Sequence, residues 1–199
     1  MVRTGKWRLV LAGLVALFVL GHIDGLGGAS AAAQEDGHDH GRVGPTFGID
    51  LGVGHMGCTT KDDGDCAGTN WAGGAALHGG FLLTPHFAVL GDLWVMAHTD
   101  DRTTVSQMIL TGGLRFWLLP RLWLQAGIGA SRVKVSYDAT YVTFQDTSDW
   151  ALAGIAAVGV EVLSGRHFAL DVLLRGGTGL YQNDLHVYNI SLGVGATWY

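Results

Sequence analysis

Charge is scarce in this 199-residue chain, where Asp, Glu, Lys and Arg together make up 15%. Soluble domains average about 25%. Proline occurs three times, which excludes a collagen-like or Pro-rich disordered segment. Long apolar runs are also missing beyond residue 33. The longest, 71–83 and 150–160, fall short of the roughly 18–20 residues a spanning helix needs. What abounds is glycine, at 32 residues, and apolar side chains, at 48%. The glycine share is about twice the usual 7% or so. An apolar, glycine-rich chain without a spanning helix points to a transmembrane β-barrel.

The first residues carry Arg3, Lys6 and Arg8 with no acid, then the apolar run 9–20 (LVLAGLVALFVL), then small residues over 28–33. These are the parts of a secretory signal peptide, so 1–33 is read as an export signal. Cleavage is expected after Ala31 or Ala33, with an earlier cut after Gly21 as the alternative. Its removal takes away three bases and Asp24, leaving nine basic against sixteen acidic residues, a net charge of −7. Nucleic-acid binding needs a basic footprint and is therefore not expected. Residues 34–45 begin QEDGHDHGRVG, a polar stretch without periodicity, and read as a flexible leader rather than a metal tract.

From Thr46 onward the hydrophobicity alternates with a period of two over eight segments: 46–56, 71–83, 87–98, 105–118, 122–135, 150–162, 168–181 and 185–199. Such alternation marks strands with one apolar face. Phe47, Ile49, Leu51 and Val53 share a face in the first, against Gly48, Asp50, Gly52 and Gly54. Tyr188, Ile190, Leu192, Val194 and Trp198 do so in the last, against Asn189, Ser191 and Gly193. Each segment supplies the roughly 9–11 residues that a tilted transmembrane strand requires.

The connections alternate between tight (84–86, 120–121, 164–167) and longer or more polar (57–70, 99–104, 137–149, 182–184). Short turns at one end and long loops at the other are the habit of outer-membrane barrels. Phe47, Phe81, Phe87, Phe116, Phe168 and Trp198 fall at the tight-turn end, and Trp71, Trp150 and Tyr188 at the long-loop end. Two aromatic girdles around an aliphatic band suit two membrane interfaces. A soluble sandwich has no reason to sort its aromatics so, and a lipocalin-type barrel would turn its apolar face inward.

The opposite face would then line the interior, with Asp50, Asp92, Glu161 and Asp171 facing Arg115 and Arg175, helped by His78, His98 and Gln125. Buried charge is tolerated only when paired and hydrogen-bonded, and an eight-stranded barrel is just wide enough for side chains to fill. A polar plug held by the two arginines is the expectation, with a narrow conduit or a chemical site as alternatives. Ser131 and His98 both face inward near the long loops, but Asp92 lies six residues below His98 and is too far to orient it.

In the first long loop, Cys58 and Cys66 are expected to form a disulfide in an oxidising compartment. Arg132 and Lys134 have the lipid-facing parity but follow a segment that already spans, which sets them level with head groups and in reach of lipopolysaccharide phosphates. The acids of the loops, among them Asp62, Asp63, Asp65, Asp100, Asp101, Asp138, Asp146, Asp149 and Asp184, read as a solvated surface, so no metal or cofactor is expected.

Residues 46–199 resemble the small eight-stranded outer-membrane β-barrels of the OmpA/OmpX-like group, on the alternating segments, the tight turn in LLTPHFAVLGDLW and the closing strand ISLGVGATWY. The resemblance implies an all-β, antiparallel up-and-down barrel without a peptidoglycan-binding domain. It also implies that the last strand is read by the outer-membrane assembly machinery. The chain departs from the group at its end, where Tyr199 is terminal and the apolar set falls on Leu192, Val194, Ala196 and Trp198. The expected function is a non-enzymatic, monomeric envelope barrel with a filled polar lumen, meeting outer-membrane lipid, lipopolysaccharide and external partners. A narrow porin-like channel and a lipid A-modifying enzyme are the alternatives.

Overall fold

The computed structural model describes residues 42–60, 64–65, 70–138, 143–182 and 185–199. Residues 1–33, expected to be an export signal, residues 34–41 of the expected leader, Asp62, Asp63, Cys66 and Asp184 lie outside the described residues. In chain order the strands are β1 (Gly44–Thr60), β2 (Gly64–Asp65), β3 (Asn70–Thr84), β4 (Phe87–Asp100), β5 (Thr103–Trp117), β6 (Leu122–Asp138), β7 (Thr143–Thr147), β8 (Ala151–Ser164), β9 (Phe168–Leu180) and β10 (His186–Trp198).

The eight long strands make the wall. They pair in the order β10-β9-β8-β6-β5-β4-β3-β1, and β10 pairs back onto β1 from Phe47↔Trp198 to Thr59↔His186, closing the ring. Closure removes the unpaired edges that an open sheet would expose. These strands coincide with the eight alternating segments and differ only at their ends, where hydrogen bonding outlasts the change of side-chain character. Two short strands were not foreseen. β2 folds back on the end of β1 through Thr59↔Asp65, and β7 lies along β6 from Lys134↔Thr147 to Asp138↔Thr143. Both are mostly polar and carry no alternation, because a hairpin above the wall has no apolar face to bury.

Side-chain direction follows the predicted parity. Phe47, Leu51, Leu77, Phe81, Leu114, Leu152 and Leu192 stand exposed on the outer wall, while Asp50, Asp92, Arg115, Glu161, Asp171 and Arg175 are buried inside. Two bulges adjust this pattern near the tight turns, between Leu82 and Thr84 in β3 and between Glu161 and Leu163 in β8. An extra residue shifts the parity beyond it. In β8 it leaves Val162 and Leu163 both outside and turns Ser164 back to donate to Glu161 Oε2 at 2.5 Å.

The interior is not lined by polar groups alone. Met56, Trp94, Met96, Ile109, Ile155 and Val187 form an apolar cluster towards the long loops, with Leu82, Leu90, Trp117, Trp123 and Leu173 in a second towards the tight turns. Interior glycines make this possible: a Cβ on Gly177 would collide with the Trp94 ring, and one on Gly159 with the Trp123 ring.

Candidate functional site

Strand register decides how the buried charges meet. Arg115, Gln125, Ala157 and Arg175 lie on one cross-strand row of β5, β6, β8 and β9. Direct opposition of Arg115 and Gln125 lets the guanidinium donate twice to Gln125 Oε1, at 3.0 Å from Nε and 2.8 Å from Nη2. Gln125 Nε2 then donates to Asp92 Oδ2 at 3.1 Å, and Arg175 Nη1 donates to Asp92 Oδ1 at 3.2 Å. Arg175 Nη2 also reaches Asp50 Oδ2 at 2.7 Å. One belt, Arg115–Gln125–Asp92–Arg175–Asp50, therefore crosses the lumen. His78, buried beside it, places Nδ1 at 3.5 Å from Asp50 Oδ2.

Arg115 corrects the expectation that both arginines would pair with carboxylates. Among the described residues it makes no ion pair. Its charge rests on the amide of Gln125 and the faces of two indoles, 4.1 Å from the Trp123 centroid and 5.9 Å from that of Trp117. Buried cations over indole gain an attraction that survives desolvation. The two indole N–H groups are spent on carboxylates, Trp123 on Asp171 at 3.0 Å and Trp117 on Glu161 at 2.8 Å. Trp117 and Trp123 occupy inward positions that the alternation already marked.

Glu161 and Asp171 stand directly opposite each other on β8 and β9. Like charges so placed repel, and each turns to its own donors. Asp171 takes Trp123 and, at 3.4 Å, Thr197 Oγ1. Glu161 takes Trp117, Ser164, the Tyr199 hydroxyl at 3.2 Å and Arg42. Sequence reasoning passed over Arg42, which falls in the segment read as leader. The usable signal was Glu161 itself, an inward acid at the last turn before the wall ends.

Towards the long loops the polar groups are few and mostly paired, with Asn189 Oδ1 and His98 Nε2 buried without a hydrogen-bond partner among the described residues. Gln107 Nε2 donates to the Tyr181 hydroxyl at 3.0 Å, and Asn189 Nδ2 to Gln107 Oε1 at 2.5 Å. Ser131 Oγ shares a 2.8 Å hydrogen bond with Tyr181, while His98 donates from Nδ1 to the Trp71 carbonyl at 2.7 Å. Serine and histidine thus have different partners, and Asp92 belongs to the belt below. Beside Asp50, Arg175, Ser191 and Trp94 the lumen keeps a cavity of about 10 Å³, room for a single water.

On the outer face, Arg132 donates from Nε to the Ser148 carbonyl at 3.0 Å, and its guanidinium carbon is 5.9 Å from the Trp150 ring centroid. Lys134, two residues on, is exposed and paired in register with Thr147 of β7. Cys58 precedes the Thr59↔Asp65 pairing of β1 with β2. Among the described residues no three His, Cys, Asp or Glu gather as a metal site.

No family model matches the chain, and no curated protein does. Solved structures do. Ail, the attachment invasion locus protein of Yersinia pestis, is similar over 77% of this chain and 98% of its own, at 15% identity and a TM-score of 0.57. Ail in complex with the heparin analogue sucrose octasulfate gives 77%, 99%, 15% identity and 0.58. Neisserial surface protein A is similar over 76% of this chain and 96% of its own, at 13% identity and 0.56. The chain has the fold of the small eight-stranded outer-membrane β-barrels.

Proposed function

Starting from that fold, we propose that the chain is exported to the bacterial outer membrane and works there as a closed barrel, not as a pore or an enzyme. One observation carries the reading. The belt from Arg115 to Asp50 spans the lumen between two apolar clusters, and the cavity beside it holds about one water. An eight-stranded barrel has no spare width around such a filling. Its work then falls to the outer end, where the hairpins of β1–β2 and β6–β7 rise above the wall and Arg132 and Lys134 face outward. There the two cations are at the right height for lipopolysaccharide phosphates. The sucrose octasulfate complex of Ail supports polyanion capture on a barrel of this fold. The role is structural and adhesive: fastening the protein to the outer leaflet and presenting loops to external partners.

Single-channel recording of the refolded chain in a planar bilayer tests it. Silence from protein shown to be inserted is the expected result. Steady conductance would replace this reading with that of a narrow porin-like channel.

A further inference from the structure

Arg42 precedes the first strand, Glu161 sits near the end of β8, and Tyr199 follows the last strand, yet the three side chains form one contact at the tight-turn end. Arg42 Nη1 spans both carboxylate oxygens of Glu161 at 3.0 and 2.9 Å, and Nη2 donates to Ser164 Oγ at 2.5 Å and to the Gly165 carbonyl at 2.9 Å. Its guanidinium carbon lies 4.3 Å from the centroid of the Tyr199 ring, whose hydroxyl donates to Glu161. Tyr199 is fixed from behind by its backbone N–H, which donates to the His167 carbonyl at 3.1 Å. Burial, with the negative charge of Glu161 beside it, pushes the phenol well above its usual range and keeps it a donor.

We infer that Arg42, Glu161 and Tyr199 form a closure lock, a contact assembled only once β1 has met β10, which holds the barrel's first-to-last seam shut. Two of the three groups flank that seam, where Phe47 pairs with Trp198 and Thr46 Oγ1 donates to the Trp198 carbonyl at 2.7 Å. The third ties both to the β8–β9 turn, on the far side of β9. Glu161 has no exposure to water and faces Asp171 across the ladder, so its charge is tolerable only with the cation in place. The lock also gives a use to Tyr199, which follows the apolar pattern of the last strand. Tyr199 turns inward and packs against the apolar cluster of the tight-turn end.

A contact made after the strands have paired slows opening more than it speeds closing. The experiment is amide hydrogen exchange, with unfolding and refolding rates, on the refolded chain in detergent micelles. In Arg42→Ala, exchange at the seam residues 46–48 and 196–198 should rise about tenfold, while residues 112–114 and 125–127 on the opposite wall stay as in the parent. The unfolding rate should rise by a similar factor and the refolding rate by less than about twofold. Arg42→Ala with Glu161→Gln should recover most of the loss, because the stranded charge is gone. Parental seam exchange in Arg42→Ala, or an equal rise around the whole wall, overturns the inference. Should that variant not refold, Tyr199→Phe, which removes one hydroxyl, carries the same comparison. A seam-confined rise of about threefold or more is then expected, and no rise at the seam overturns it.

Discussion

Arg115 lies 4.1 Å from the ring centroid of Trp123, and that pairing redirects the electrostatics of the lumen. The cation is held by an indole face and an amide, so Asp92 is left to Arg175, and the indole N–H of Trp123 is left to Asp171. Four carboxylates and two arginines are reconciled inside the wall only because tryptophan and glutamine take part, with Arg42 entering from outside it.

Gln125 is the residue on which this arrangement turns, since it accepts from Arg115 and donates to Asp92. Gln125→Leu keeps the volume but strips both charges of a partner, and should cost about 3–5 kcal/mol. Denaturant unfolding of the refolded barrel measures it. A cost below about 1 kcal/mol would mean that the two charges find other partners unaided.

Glycines on the two faces of the wall should respond differently to a methyl group. A Cβ at Gly159 meets the Trp123 ring, whereas one at Gly112, on the lipid face, meets nothing within 4 Å. Gly159→Ala should lose about 1–3 kcal/mol of stability. Gly112→Ala should be neutral or stabilising, since alanine restricts the unfolded chain. The two unfolding midpoints, compared under one condition, check this.

The outer cations should matter to lipid binding and not to folding. Arg132→Ala with Lys134→Ala is expected to retain about tenfold less lipopolysaccharide through purification, with an unchanged β-sheet spectrum. Two charge-assisted contacts to phosphate carry that magnitude. Equal retention would leave both side chains as ordinary snorkelling cations.

The cysteines of the first loop should resist thiol labelling until a reductant is added, and then label together. A bridge between Cys58 and Cys66 would stabilise the loop by about 2–3 kcal/mol. Protease nicking between them should appear only after reduction. Labelling of the native protein without reductant would exclude the bridge.

The wall was legible because a strand in this setting has one choice per residue, lipid or lumen, and the sequence records that choice every second position. Even the inward tryptophans could be placed by parity. The partners of the buried charges could not. Arg115 and Gln125 meet, and Glu161 faces Asp171, because of register between strands, a property of pairs that no single segment encodes. The bulge in β8 that swings Ser164 onto Glu161 is likewise a matter of which hydrogen bonds form.

Local hydrophobic alternation sets the eight strands of the wall, their facing and the sorting of loops from turns, all of which can be read along the chain. Tertiary structure alone decided what fills the lumen, which charges share it, and that Arg42 and Tyr199 come together at its tight-turn end. The lumen contacts join strands through their register, and those of Arg42 join the two ends of the barrel chain, so they exist only when the last strand has closed against the first.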